Sequence, residues 1–306
     1  VVGSALNTGS WGRLPIGGPS RTIESDWRFE GLPEVCGNDS LLPYGCGRSY
    51  GDSCVNSDGS HLGTAQLNRF IRFDTERGVL SCEAGLTLDD ILQVTVPRGW
   101  FLPVLPGTRF VTLGGAIAND VHGKNHHKAG TFGCHVLSLN LLRSNGERPV
   151  CSVDMNTELF SATIGGLGLT GLITSAELQL IPISSDQIVS ENLVFSSLAD
   201  FARLSHDSAE WDYTVAWVDA FSRRDQVGRG IFFRGRHALQ SSALEAGSSR
   251  PRVAVPFAPP FSLVGRQTVD LFNRAYFYAN SRKKDQLTTH FKPFFFPLDS
   301  IANWNR

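Results

Sequence analysis

Three histidines and five glycines fall within Pro103–Gly130, PVLPGTRFVTLGGAIANDVHGKNHHKAG, with Lys124 among them. An imidazole exchanges protons near neutral pH, a lysine offers a fixed cation, and glycine, lacking Cβ, lets backbone N–H groups come close to a flat or anionic ligand. Gly114-Gly115 followed by Ala116-Ile117-Ala118 predicts a loop running into a helix whose free N–H groups favour an anion. A second glycine-rich loop, PYGCGRSYGD over Pro43–Asp52, exposes successive amides as a nest for a diphosphate, with Ser49 adding a hydroxyl. A third cluster follows at Gly165–Gly171. Such loops imply a large phosphate-bearing cofactor rather than a small substrate. The Pro43–Asp52 loop does not match the dinucleotide-binding GxGxxG between strand and helix, and GxxxxGK[ST] does not occur, which disfavours a P-loop hydrolase.

The histidines also invite a metal reading. His122 and His126 stand at the i, i+4 spacing that suits zinc on a helix, with His127 beside them, and a zinc hydrolase is the alternative of another class. Gly123-Lys124-Asn125 is a poor helix, however, and a lysine inside the pair opposes a cation. No metal is expected. His126, His127 and His135 read as packed, hydrogen-bonded residues.

The elements that must position these groups can be read in order. Val79–Ala84 predicts a strand. Thr87 caps a helix with Asp90 three residues on, and Leu88, Ile91, Leu92, Thr95 and Val96 fall on one face. Leu137, Leu139 and Leu141 alternate with Ser138 and Asn140 as on a half-buried strand, and Asn145-Gly146 turns it back into Val150–Val153 as a hairpin. A short helix starts at Asn156 or Thr157, with Leu159, Phe160 and Thr163 inward. Leu172–Leu180 is a strand with Ala176, Leu178 and Leu180 on one face and Ser175, Glu177 and Gln179 on the other. Beyond Pro182–Gln187, strands are expected at Ile188–Phe195, Tyr213–Phe221 and Gly230–Arg236, and helices from Ser197 and over Thr268–Ala279. Val1–Gly18 reads as an irregular arm with Trp11-Gly12-Arg13 its one distinctive point, and Pro251–Pro260 as a proline-rich connection.

With 306 residues the chain can hold one large domain or two ordinary ones. A hydrophobic fraction of 41% and a charged fraction of 19% fit a globular protein, and the net charge of −1 gives no case for a nucleic-acid partner. No apolar run approaches the ~20 residues of a membrane helix, and no secretory signal is read at the N-terminus. The expected location is cytoplasmic or peripheral at the inner membrane. The six cysteines form no CxxC pair, so they are expected as reduced thiols. Twenty phenylalanines against one methionine favour a rigid aromatic core late in the chain.

GRSYGD, then LPGTRFVTLGGAIANDVHGKNHHKAGTFG, then ELFSATIGGLGLTG together resemble the vanillyl-alcohol-oxidase/PCMH-type FAD flavoproteins. The resemblance runs from about Trp11 to Arg306, where PLDSIANWNR also matches. Within that family it is nearest to the branch that oxidises the 2′-hydroxyl of a decaprenylphosphoryl-ribose. It implies an α+β fold: a PCMH-type FAD-binding domain of two α+β subdomains over 1–182, then an antiparallel-sheet substrate (cap) domain over 183–306. The closing FKPFFFPLDSIANWNR stops without a closing signal, so that second domain is expected to be incomplete at its C-terminal end.

The resemblance assigns FAD contacts to Pro43, Tyr44, Gly45, Cys46, Gly47, Arg48, Ser49, Tyr50, Gly51, Asp52 and Ser53. It adds Gly107, Thr112, Leu113, Gly114 and Gly115, then Asn119, Asp120, Val121 and His122, and finally Ile173. Arg48 stands where many relatives carry a flavin-linking histidine, which implies non-covalent FAD. His122 and Lys124 are the expected catalytic residues, and Tyr50, Lys124 and Trp217 the expected substrate contacts. Phe294, Phe295 and Phe296 are weighed as flanks of a lipid tail against core packing. The implied reaction is hydride transfer from a secondary sugar hydroxyl to flavin N5, yielding a ketone during cell-wall arabinan precursor synthesis. The implied partners are a lipid-linked sugar, a reductase completing an epimerisation, and at most peripheral membrane contact. A sugar or aldonolactone oxidase of the same family and an inactive FAD-binding module are the alternatives.

Overall fold

Local chemistry passes directly into structure at the Leu88–Thr95 helix. Thr87 Oγ1 accepts from the Asp90 amide at 3.1 Å, and the Thr87 amide donates back to Asp90 Oδ2 at 3.0 Å, a complete capping box. Leu88, Ile91, Leu92, Thr95 and Val96 are all buried, so the helical spacing read in the sequence is the face that packs. Gly99, at φ 78°, ends the following 3-10 turn.

The structure, a computed structural model, describes residues 9–13, 21–34, 39–222, 228–240, 244–248, 253–255, 265–282 and 286–305. Cys36, most of the N-terminal arm and most of the proline-rich connection lie outside these residues. The chain divides into two compact units. One holds Val1–His122, Thr131–Pro182 and Asn305; the other holds Gly123–Gly130, Ile183–Trp304 and Arg306. The segment Gly123–Gly130, assigned by sequence to the first domain, thus groups with the second unit. Mixed helices and sheets make the fold α+β.

The first unit carries two main sheets. Arg21–Glu24, Ser60–Gly63 and Leu41–Tyr44 form a parallel sheet with Ser60–Gly63 central and buried at every position. Pro43 sits on an edge strand, where a missing N–H is tolerated. An antiparallel sheet runs in the order Phe70–Asp74, Val79–Glu83, Leu172–Gln179, Val136–Leu142, Val150–Ser152. Leu62, Leu67, Leu142 and Leu172 pack together, with Ile23 and Leu32 against them, and so join the two sheets by apolar burial. The predicted hairpin forms, its turn set by Gly146 at φ 83°.

One strand face differs from the sequence pattern. Leu137 is 39% exposed, because the register with Leu172–Gln179 shifts between Val136 and Ser138 and Val136 takes the buried place. Ser175, on the face opposite Ala176, is buried as well, and its hydroxyl accepts from Asn140 Nδ2 at 3.1 Å.

The second unit is built on an antiparallel sheet in the order Tyr213–Val218, Gly230–His237, Gln187–Phe195, Leu287–His290. Ser197 caps Leu198–Asp207 through the Asp200 amide, and the aromatic helix spans Arg266–Ser281. Phe195, Phe232, Phe291, Phe295 and Phe296 are buried, and Tyr213 meets Phe295 edge-on at 4.7 Å. Phe295 and Phe296 are core residues, not open flanks for a lipid.

Candidate functional site

The first glycine loop leaves the parallel sheet at the C-terminal end of Leu41–Tyr44, the end at which open parallel sheets present their ligands. Gly47 is buried at φ 57°, and a Cβ there would run into the Tyr44 hydroxyl. A left-handed conformation in so tight a space needs glycine. Tyr44 is itself buried and stacks on His61, ring centroids 4.4 Å apart. Burial pushes the Tyr44 hydroxyl pKa up and the His61 imidazole pKa down. Burial likewise raises the thiols of Cys46 and Cys54. Among the described residues, the backbone amides of Cys46, Gly47 and Gly51 donate no hydrogen bond within the protein. Gly47 is buried, where an amide is rarely left without a partner, while Cys46 and Gly51 are exposed, so the loop leaves donors open to a diphosphate. Tyr50, at the loop's tip, is 67% exposed.

The second loop differs from its sequence reading in one respect. Leu113–Ala118 forms the expected helix, but its starting amides are occupied. Leu113 N–H donates to Leu86 O at 2.8 Å, Gly114 N–H to Ala84 O at 2.8 Å, and Gly115 N–H to Thr112 Oγ1 at 3.1 Å. These bonds dock the helix onto Glu83–Leu86, so they do not form the open anion site expected of a free helix end. Leu113 is also fully buried, which gives its side chain a packing role. Gly107 is exposed with open space where a Cβ would be.

The three glycine clusters meet within the first unit. Gly45 lies so close to Thr112 that a Cβ would strike its hydroxyl, with Cγ2 3.1 Å away. A Cβ on Gly168 would touch Pro43 Cδ at 3.5 Å. Gly165 N–H donates to Ile117 O at 3.0 Å, and Leu167 N–H to Ala118 O at 2.8 Å. The residues after the helix are also fixed from several sides. Asn119 Nδ2 donates to Gly115 O at 2.8 Å, and Asp120, at φ 42°, accepts from the Gly133 amide at 2.8 Å. Val121 N–H donates to Ala116 O and Val121 O accepts from Phe132. His122 forms an antiparallel bridge with Thr131, and its side chain is exposed. Ile173 is buried on the strand that follows the third cluster.

In the second unit, Thr214 N–H donates to Lys124 O at 2.7 Å, on the strand that also carries Trp217. Lys124 Nζ lies 5.6 Å from the centre of the Phe294 ring, and desolvation lowers its pKa to about 8. Trp217 packs against Tyr276 at 4.9 Å. His126 starts the four-residue helix His126–Ala129, so it shares no helix with His122. His127 Nε2 bonds with Trp211 O at 3.0 Å. Among the described residues no group of three or more His, Cys, Asp or Glu is gathered to hold a metal, and no helix is long and apolar enough to cross a membrane.

Sequence reading missed the Tyr44–His61 stack and the contacts of Trp11. The only signal for either was an aromatic residue next to a glycine turn.

Residues 35–152 match the profile of the FAD binding domain family. The chain is 34% identical over 281 residues to decaprenylphosphoryl-beta-D-ribose oxidase of Mycolicibacterium smegmatis, covering 88% of this chain and 61% of that protein. It is 39% identical over 191 residues to an uncharacterized protein of Streptomyces coelicolor, covering 60% of this chain and 52% of the other. It is 34% identical over 146 residues to L-gulonolactone oxidase of Bos taurus, covering 47% of this chain and 32% of that enzyme. The chain therefore spans under two thirds of the length of these relatives.

Proposed function

We propose, from the premise that this chain belongs to the FAD-binding flavoproteins of the vanillyl-alcohol-oxidase type and takes FAD as its cofactor, that it oxidises the 2′-hydroxyl of a polyprenylphosphoryl-ribose to a ketone. The observation that carries the reading is the convergence of three glycine turns, Gly45 against Thr112, Gly168 against Pro43 and Gly165 on Ile117, beside a loop whose amides lack acceptors. FAD bound there supplies a hydride acceptor at N5. The loop amides hold its diphosphate, His122 takes the proton of the substrate hydroxyl, and Lys124 pairs with an anionic group of the substrate. Trp217 and Tyr50 present ring surface to the sugar. The FAD is held without a covalent bond. A reductase that returns the ketone to the epimeric alcohol is the expected partner, and the lipid substrate calls for peripheral contact with a membrane.

A second reading, oxidation of a free sugar or aldonolactone, is favoured by the similarity to L-gulonolactone oxidase. The test is to add FAD to the chain and offer each substrate without air. Bleaching of the yellow absorbance by the polyprenylphosphoryl-ribose alone supports the first reading, and bleaching only by lactones supports the second. A coloured protein that no substrate bleaches is an FAD-binding module, and a colourless one overturns both.

A further inference from the structure

The N-terminal arm meets the first glycine loop at several points. Trp11 N–H donates to Ser49 O at 2.8 Å, and the Tyr44 hydroxyl donates to Gly9 O at 2.7 Å. Gly12 lies flat on the Tyr50 carbonyl, leaving no room for a Cβ. The guanidinium carbon of Arg48 lies 4.2 Å from the centre of the Trp11 ring and 5.5 Å from that of Phe110, on the segment leading to Thr112. Asn305 Nδ2 donates to Trp11 O at 2.9 Å and fixes the arm from its other side.

We propose that Trp11, Arg48 and Phe110 form a clamp that holds the first glycine loop in its cofactor-receiving shape, so that these three are positioning residues for FAD affinity. The inference rests on the reading that this loop receives the FAD diphosphate. A run with glycines at 45, 47 and 51 has much conformational freedom to lose, and a loop ordered before binding does not lose it when the ligand arrives. The arm supplies that order. Its backbone fixes Ser49 and Tyr50 from one side. Arg48 joins the loop to Trp11 and to Phe110 through a planar cation over aromatic faces, a geometry an ammonium group does not reproduce.

The test is FAD titration of the cofactor-stripped chain, followed by quenching of flavin fluorescence, with hydrogen exchange of the Ser49–Gly51 amides in the absence of FAD. Trp11→Ala and Arg48→Met are each expected to weaken FAD binding roughly tenfold, the scale of a partly desolvated cation–π contact, and to speed that exchange. Trp11→Phe restores most of the affinity, Arg48→Lys does not, and the double variant is little worse than either single one. Gly45→Val serves as the control on the underlying reading. If it loses FAD while Trp11→Ala binds as the native chain does, the clamp is wrong and the cofactor site stands. If Arg48→Lys restores affinity, charge rather than stacking is at work and the clamp is again wrong. If Gly45→Val binds FAD normally, the loop does not receive the diphosphate and the underlying reading itself fails.

Discussion

The amide of Thr214 donates to the carbonyl of Lys124 at 2.7 Å, so the backbone of a lysine from the His/Gly-rich stretch is fixed to an edge strand of the second unit's sheet. Its ammonium lies near the Phe294 ring, and desolvation brings its pKa to about 8. Below that pH it is a cation held in poor solvent, which makes an anionic substrate group a favourable partner. Lys124→Met is expected to weaken substrate binding by about 1.5–3 kcal/mol, the usual worth of a charge-assisted hydrogen bond. Native affinity should fall as pH rises through about 8. The pH dependence of KM checks both, and a variant with unchanged KM removes Lys124 from the site.

The same lysine makes a stability prediction. Its folded pKa is below that of the unfolded chain, so the unfolded chain binds more protons between the two values. Native stability should therefore gain from Lys124 as pH rises from about 8 toward the ordinary lysine range, by on the order of 2 kcal/mol in total. Urea midpoints at pH 7.5 and 9.5, as chosen test conditions about that window, should diverge more for the native chain than for Lys124→Met.

Gly45→Val places a branched side chain against the Thr112 hydroxyl that caps Leu113–Ala118. FAD affinity should drop by about tenfold or more, equivalent to at least ~1.4 kcal/mol, with folding largely retained by circular dichroism. Fluorescence titration reads the loss, and Gly45→Ala should give a smaller one.

Arg48 lies among aromatic rings and offers no nucleophile to the flavin. Denaturing the FAD-loaded chain should release all flavin into a filtrate. Flavin fluorescence travelling with the chain on a denaturing gel would overturn non-covalent binding.

His61 is fully buried with its imidazole pKa lowered by desolvation. A folded pKa below the unfolded one means this contribution to stability is present above about 6.5 and lost as pH falls below it. His237 in the second unit is shifted the same way. Thermal melts of the native chain should fall between pH 7 and 5, a range chosen to bracket the unfolded value near ~6.5. His61→Phe should flatten that fall only in part, because His237 remains.

The sequence by itself determined whatever follows from neighbours along the chain. Thr87 and Asp90 specify a helix start, Asn145-Gly146 a hairpin and Leu172–Leu180 a strand, because each depends on local hydrogen bonds and on the period of apolar residues. The glycine loops were also legible as close-approach backbone, and their wording pointed to FAD. Only the tertiary structure decided where the donors go. Gly114 looked like a free helix-end amide but is spent on Ala84, 30 positions back by its own number, and Leu137 leaves the core face because of a bulge set by its partner strand. Trp11 became a neighbour of Arg48 in the same way. Hydrogen-bond acceptors and ring faces contributed from distant sequence fix these outcomes, and no window along the chain contains both halves of such a contact.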